Sequence, residues 1–359
     1  MTKASLQTFA NLPPPDSMFD LTLAICTYNG KQRLPAVFNR LRSQLNLEQV
    51  RWEILVIDNN STDSTAEWVI QQQQSPLNHL LPTIRTITET QQGLAFARQC
   101  AIENAQGRWV AFLDDDNLPD EHWIVAVHQF AQANPKAGAF HGKVRGDYES
   151  APPKHFDRIS AFWAIGGGRT VRCYTTDPEA SRKRLLPPGA GIVVQRQAWL
   201  ESVPTQLNQV GRMGKSLVGS EDIEAMVHLS RSGWEIWYTP DMCLDHRIDQ
   251  SRLTREYAIQ LMHGIGLGRW NTRKLGFEPW QQPGMMVIFW ANDLRKAIAH
   301  MIKYRNQIPS DCVASAEMAF FLGCLKSPFY GLGRFDGDRN SKHPKSASKT
   351  GSVAAAQIQ

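Results

Sequence analysis

Three consecutive carboxylates, Asp114-Asp115-Asp116, directly follow the apolar run Arg108-Trp-Val-Ala-Phe-Leu113. Acids this close repel one another unless solvent or a cation relieves the charge, and an oxygen-only donor set suits Mg²⁺ or Mn²⁺. Such an ion keeps positions open for phosphates and offsets charge on a departing diphosphate. The plainer alternative is a solvated acidic turn capping a helix begun by Pro119. A second acidic pair, Glu221-Asp222, opens an amphipathic helix with apolar Ile223, Met226, Val227 and Leu229. Those acids either favour the helix dipole or place one carboxylate as a general base toward an attacking hydroxyl. His246, within Asp245-His-Arg247, is either structural or a ligand completing a metal site with Asp114 and Asp116. Asp58 follows the run Glu53-Ile-Leu-Val-Ile57, placed to meet a base or ribose or to bond its own turn. Arg98, on an otherwise apolar helix face, can pair with a pyrophosphate or serve in a structural ion pair.

The elements that must position these residues alternate. Leu21-Thr-Leu-Ala-Ile-Cys26 reads as a strand, Thr27-Tyr-Asn-Gly30 as a turn, and Leu34, Val37, Phe38 and Leu41 as one helix face. A second strand at Glu53–Ile57 feeds a helix, with Ser64 and Glu67 at capping-box spacing. A third unit runs from Thr83–Thr88 into a helix carrying Leu94, Ala97, Ala101 and Ile102, with Gly107 as its expected C-cap. The run at 108–113 is apolar on both faces, as a central parallel strand should be. Beyond it come an apolar run at Gly191–Val194, a helix over Ser220–Ser230, a strand at Trp234–Thr239, and mostly helices from Asp249. The pattern is α/β: a Rossmann-like, mainly parallel sheet flanked by helices, with ligands expected beyond the strands' carboxyl ends and a helical C-terminal extension.

The expected organisation is an N-terminal extension over 1–18, an α/β domain over 19–248 (nucleotide-binding half 19–118, acceptor half 119–248), a helical region over 249–333 and a disordered tail over 334–359. With 42% hydrophobic and 20% charged residues, the 359-residue chain can bury a sizeable core. Its net charge of +5 is concentrated in the tail, at Arg334, Arg339, Lys342, Lys345 and Lys349, so it argues for no nucleic-acid partner. The six scattered cysteines lack any C-x-x-C pair and read as reduced core thiols. No secretory signal and no run of roughly 18 apolar residues is visible, so a cytoplasmic protein is expected. The helix bearing Leu294, Ala297, Ile298, Met301 and Ile302, edged by Arg295, Lys296 and Lys303, either packs this face on the core or rests it peripherally on an anionic membrane. Packing on the core is the expectation.

In order along residues 19–250, these signatures resemble family 2 glycosyltransferases, inverting enzymes of the GT-A fold. They are Ile25-Cys-Thr-Tyr-Asn-Gly30, Val56-Ile-Asp-Asn-Asn-Ser-Thr-Asp63, Gly93-Leu-Ala-Phe-Ala-Arg98, Phe112-Leu-Asp-Asp-Asp116, Pro188-Gly-Ala-Gly191, Gly219-Ser-Glu-Asp222, and Tyr238-Thr-Pro240 leading to His246. The resemblance implies nucleotide contacts around Thr27, Tyr28, Asn29 and Asp58, with Arg98, Asp114 and Asp115 nearby. It implies direct metal contact by Asp116, a metal-proximal His246 and Asp222 as the base beside Glu221. It places the segment around Lys215 and Gly219 on the acceptor side. The donor would be a nucleotide sugar, a UDP-sugar foremost, and the acceptor a saccharide or lipid-linked hydroxyl in polysaccharide or glycoconjugate synthesis. Two departures stand out. Gln99 replaces an Asn frequent in the family, and only Arg269-Trp270 remains of the processive synthases' Gln-x-x-Arg-Trp motif, which points to single additions. The stretch from His246-Arg-Ile248 to Arg252-Leu253 is similar to bacterial exopolysaccharide members. The competing functions are a nucleotidyltransferase acting on sugar phosphates, which usually has a glycine-rich loop after its first strand, and a non-catalytic sugar-nucleotide-binding protein.

Overall fold

Alternate residues of the first strand serve two different cores. In β1 (Phe19–Thr27), Leu21, Leu23 and Ile25 pack on one side of the sheet and Ala24 and Cys26 on the other. The same division runs through β2 (Trp52–Asp58), a strand buried along its whole length. A sheet covered on both faces needs apolar residues at every position, which is why these strands read as continuous runs. Helices α1 (Leu34–Arg42) and α4 (Trp123–Ala133) cover the first face. Helices α3 (Leu94–Asn104), α5 (Arg196–Ser202) and α6 (Glu221–Arg231) cover the second.

The computed structural model describes residues 18–177, 186–207 and 221–330. Residues 1–328 form one contact unit; of 329–359, residues 329 and 330 are described. The 1–17 segment, the tail beyond Arg334, Lys215 and Gly219 lie outside the described residues.

The sheet runs β3-β2-β1-β4-β8-β6-β9-β5. Strands β3 (Thr83–Thr88), β2, β1 and β4 (Gly107–Asp114) are mutually parallel. The short β8 (Val193–Gln195) inserts antiparallel between β4 and β6 (Ala137–Tyr148), and β6 pairs parallel with β9 (Glu235–Ile248). Two short strands, β5 (Asn117–Pro119) and β7 (Arg172–Cys173), pair antiparallel with β9. Helix α2 (Thr65–Gln73) follows β2. This is the mixed, mainly parallel α/β sheet expected, and all six cysteines are free thiols.

Several local expectations are corrected. Ser64 precedes α2 at φ 62° and makes no side-chain cap bond, so the Ser64–Glu67 capping box does not form. Gly107 does not cap α3, which ends at Ala105 in extended backbone. Gly107 instead opens β4, where a Cβ would lie 2.4 Å from the Thr22 amide nitrogen. Pro119 ends β5 rather than starting a helix, so the acidic triplet is no helix cap. Strand β9 runs to Ile248, well past Thr239, because a bulge opposite Gly142 absorbs Pro240, which has no N–H to give the ladder.

The helices α7 (Arg255–Lys274), α8 (Gln282–Tyr304) and α9 (Cys312–Lys326) follow. Leu261, Met262, Val313 and Ala316 join Phe156, Ile159, Trp163, Ile248 and Leu253 in a third core that fixes α7 and α9 against the end of β9. Among the described residues no helix is long and apolar enough to cross a membrane. The expected packing of α8 is overturned: Ala297 is buried, but Ile298, Met301 and Ile302 are 44%, 52% and 70% exposed. The face that packs carries Asp293 and His300, held by Arg273 and by the Ala314 carbonyl.

Candidate active site

The three carboxylates after β4 fan out to three different elements. Asp114 continues the face of Val110 and Phe112 and points toward α3, its Oδ1 3.8 Å from Arg98 Nη2. Asp115 turns toward α1 and accepts two hydrogen bonds from the Arg33 guanidinium, Nε and Nη2 each at 2.8 Å, and one from Thr27 Oγ1. Asp116 faces β9 and the segment after it: its Oδ2 lies 2.7 Å from Arg252 Nη1 and 3.3 Å from His246 Nε2, and Oδ1 accepts from Asn117 Nδ2. Strand pairing brings this about, because Asn117 of β5 stands opposite His246 of β9.

Their surroundings split these acids electrostatically. Burial raises Asp114 most, against the lowering pull of Arg98, and leaves it at about 6. Burial also raises Asp115, against its bonds to Arg33. Burial works on Asp116 too, but His246 and Arg252 outweigh it and hold this carboxyl far below the usual range. Asp116 is the acid most firmly kept as an anion.

His246 is buried, and its Nδ1 lies 2.7 Å from the Trp163 carbonyl. A carbonyl only accepts, so Nδ1 carries the proton there and Nε2 is turned to Asp116. An imidazole fixed through Nδ1–H to a backbone carbonyl, with Nε2 converging on a carboxylate, has the donor chemistry of a divalent-metal ligand pair. Among the described residues no three His, Cys, Asp or Glu side chains gather as a ready-made metal site. Of the expected trio, Asp116 and His246 lie 3.3 Å apart, and Asp114, which also feels their charges, lies beside Arg98. Trp163 Nε1 also donates to the Arg252 carbonyl, at 3.3 Å, so one buried indole residue positions both partners of Asp116 Oδ2.

Glu221 and Asp222 open α6, and α3 faces them. Arg98, 4% exposed, stacks its guanidinium over the Phe112 ring at 5.6 Å and lies 3.3 Å from Glu221 Oε1. Asp222 Oδ2 accepts from the Gly189 N–H at 2.6 Å and Oδ1 from its neighbour Ile223 at 2.8 Å. Burial and then the Glu221 charge raise the Asp222 carboxyl; Arg98 and those two backbone bonds oppose them. At Gly189 a Cβ would lie 2.6 Å from Arg98 Nη2 and 2.9 Å from Asp222 Oδ2, so a side chain there would displace the guanidinium or the carboxylate. Arg98 thus ties the end of β4 to the start of α6.

The residues that follow β1 and β2 form a hydrogen-bonded scaffold beyond the two strand ends. Asn29, at φ 50°, receives Thr62 N–H on its Oδ1 and gives its own N–H to Ser61. Asp58 is buried and accepts from Ser61 N–H at 3.2 Å, which is the local-turn reading. Thr27 is buried, whereas Tyr28 is 46% exposed. Sequence reasoning missed Asn59, which bonds the carbonyls of Glu89 and Gln91 and the Gly93 amide, together with Arg33, Trp163 and Arg252. Asn59 lies inside a quoted signature, but its partners follow from how β2 meets α3.

These acids gather beyond the carboxyl ends of the parallel strands, where open α/β sheets collect their ligands. The family model described as glycosyl transferase family 2 matches residues 22–200. Succinoglycan biosynthesis protein ExoM of Rhizobium meliloti is 26% identical over 66% of this chain and 70% of its own. A glucosyl-dolichyl phosphate glucuronosyltransferase of Haloferax volcanii is 21% identical over 67% and 72%. The solved structure of a Pyrobaculum calidifontis mannosyltransferase in complex with GDP-Man and Mn²⁺ aligns with a TM-score of 0.56 at 17% identity, over 89% of this chain and 88% of that one. The chain belongs to glycosyl transferase family 2, has the GT-A fold, and is a sugar-transferring enzyme.

Proposed function

We propose that the site performs single-displacement, inverting transfer of a sugar from a nucleoside diphosphate sugar, a UDP-sugar foremost, to a hydroxyl of a saccharide or lipid-linked acceptor in polysaccharide or glycoconjugate assembly. The observation that carries this reading is Arg98, which holds Asp114 and Glu221 in one buried network, with Asp222 alongside. A proton acceptor is thereby fixed near the strand end where nucleotides bind. Asp222 takes the proton from the acceptor hydroxyl as that oxygen attacks the anomeric carbon from the face opposite the diphosphate. Its two backbone hydrogen bonds orient the carboxylate, and its raised pKa makes it a stronger base than a free Asp.

Asp116 and His246 would hold Mg²⁺ or Mn²⁺, which when bound neutralises charge on the departing diphosphate. Arg33 and Thr27 lock Asp115, so its part is to shape the turn that bears Tyr28. Tyr28 and Asn29 line the nucleotide side, with Asp58 buttressing the neighbouring turn. The 26% identical relative named for succinoglycan biosynthesis and the one named for a dolichyl phosphate substrate support the acceptor class. The test is Asp222→Asn: nucleotide-sugar binding by calorimetry should stay near the wild-type value while transfer disappears. Near-normal turnover would remove Asp222 from the role.

A further inference from the structure

Helix α8 packs with its more polar face. Asp293, Ala297 and His300 are buried, and Arg273 holds Asp293 through both carboxylate oxygens. Val287, Ile288, Ile298, Met301 and Ile302 are exposed at 61%, 59%, 44%, 52% and 70%. At 100° per residue these five fall within roughly 140° of the helix circumference, so they form one stripe rather than scattered singletons. The stripe extends about 22 Å along the axis at 1.5 Å per residue. Trp280, 79% exposed, precedes the helix in sequence.

The charge around the stripe has one sign. Asp293 is the single acidic residue of α8, and it is buried and paired. The exposed charges are Arg295, which falls inside the stripe's arc, and Lys296 and Lys303 beyond its edge, with Arg305 following at the helix end. Such a surface suits the boundary of an anionic bilayer: the apolar side chains enter the headgroup and acyl boundary while the basic ones stay at the phosphates. A second copy of this chain fits less well. A two-fold interface on the stripe would set basic borders against identical basic borders.

We propose that α8 is a membrane-docking helix that seats this enzyme on an anionic phospholipid surface through Val287, Ile288, Ile298, Met301 and Ile302, with Arg295, Lys296 and Lys303 reading the lipid charge. The docking is independent of the catalytic reading, since it uses no residue of the active site.

Flotation of the full chain with vesicles separates the possibilities. Vesicles of phosphatidylglycerol and phosphatidylcholine in equal parts should carry the protein upward, and pure phosphatidylcholine should carry at least about tenfold less. Ile288→Glu/Ile302→Glu and, separately, Lys296→Glu/Lys303→Glu should each weaken binding about tenfold or more, with unchanged circular dichroism and unchanged nucleotide-sugar binding. Wild-type flotation by either variant, or none by the wild type, overturns the proposal. A concentration-dependent dimer in light scattering that Ile288→Glu/Ile302→Glu abolishes also overturns it, in favour of a second copy on the stripe.

Discussion

Replacing Arg98 with Met removes the guanidinium while keeping most of the side chain's bulk. Arg98 lies 3.3 Å from Glu221 and 3.8 Å from Asp114. At an effective dielectric of about 20, each pair is worth roughly 4–5 kcal/mol of attraction. Desolvating a guanidinium that is 4% exposed offsets several kcal/mol of that sum. The variant keeps the acids but loses their shared cation, so the expected destabilisation is about 3–5 kcal/mol. Urea unfolding followed by tryptophan fluorescence measures it. Arg98→Met/Glu221→Gln should recover about 1–3 kcal/mol, because the neutral amide no longer needs the missing charge. There is also a kinetic consequence. Arg98 is one of the groups holding the Asp222 carboxyl down. Its removal raises that carboxyl further, so the acid limb of the pH–rate profile moves to higher pH. A loss below about 1 kcal/mol, or no recovery in the double variant, would refute the network as the link between β4 and α6.

Two further substitutions probe the site's halves. Gly189→Ala drives a methyl group toward Asp222 Oδ2 and Arg98 Nη2, so kcat should fall about tenfold or more and unfolding free energy by about 1–3 kcal/mol, while donor KM changes little; wild-type kcat would show that the 188–191 turn does not set the position of Asp222. Arg252→Gln removes the cation bonded to Asp116, and Mn²⁺ binding to the nucleotide-free protein, read by electron paramagnetic resonance, should tighten about tenfold. Equal affinities would mean that Arg252 does not compete for that carboxylate.

Some of this architecture is written locally and some is not. β1, β2 and β4 are legible because strands covered on both faces must be apolar throughout, and the acidic triplet is legible because it ends such a strand. The fates of its members are not. Asp115 meets Arg33, and Asp116 meets Arg252, across 82 and 136 residues of chain. Nothing within a local window distinguishes those arginines from any other surface cation. The reach of β9 to His246 is legible in part: the strand-like run from Trp234 extends through Pro240 to Cys243, but the bulge that absorbs Pro240 follows from pairing with β6. Periodicity found Ile298, Met301 and Ile302 of the exposed stripe of α8 but not Val287 and Ile288, and a period does not fix what a face meets. The packing of Asp293 and His300 decided the matter, and it depends on α7 and α9.

The most direct test of the account is product stereochemistry. Purified protein, Mn²⁺, a panel of nucleoside diphosphate sugars and saccharide or lipid-linked acceptors are incubated, and the new glycosidic linkage is read by nuclear magnetic resonance. The account predicts a glycoside whose anomeric configuration is opposite to the donor's and which is absent with Asp222→Asn. A product of retained configuration, or full transfer by Asp222→Asn, would contradict it.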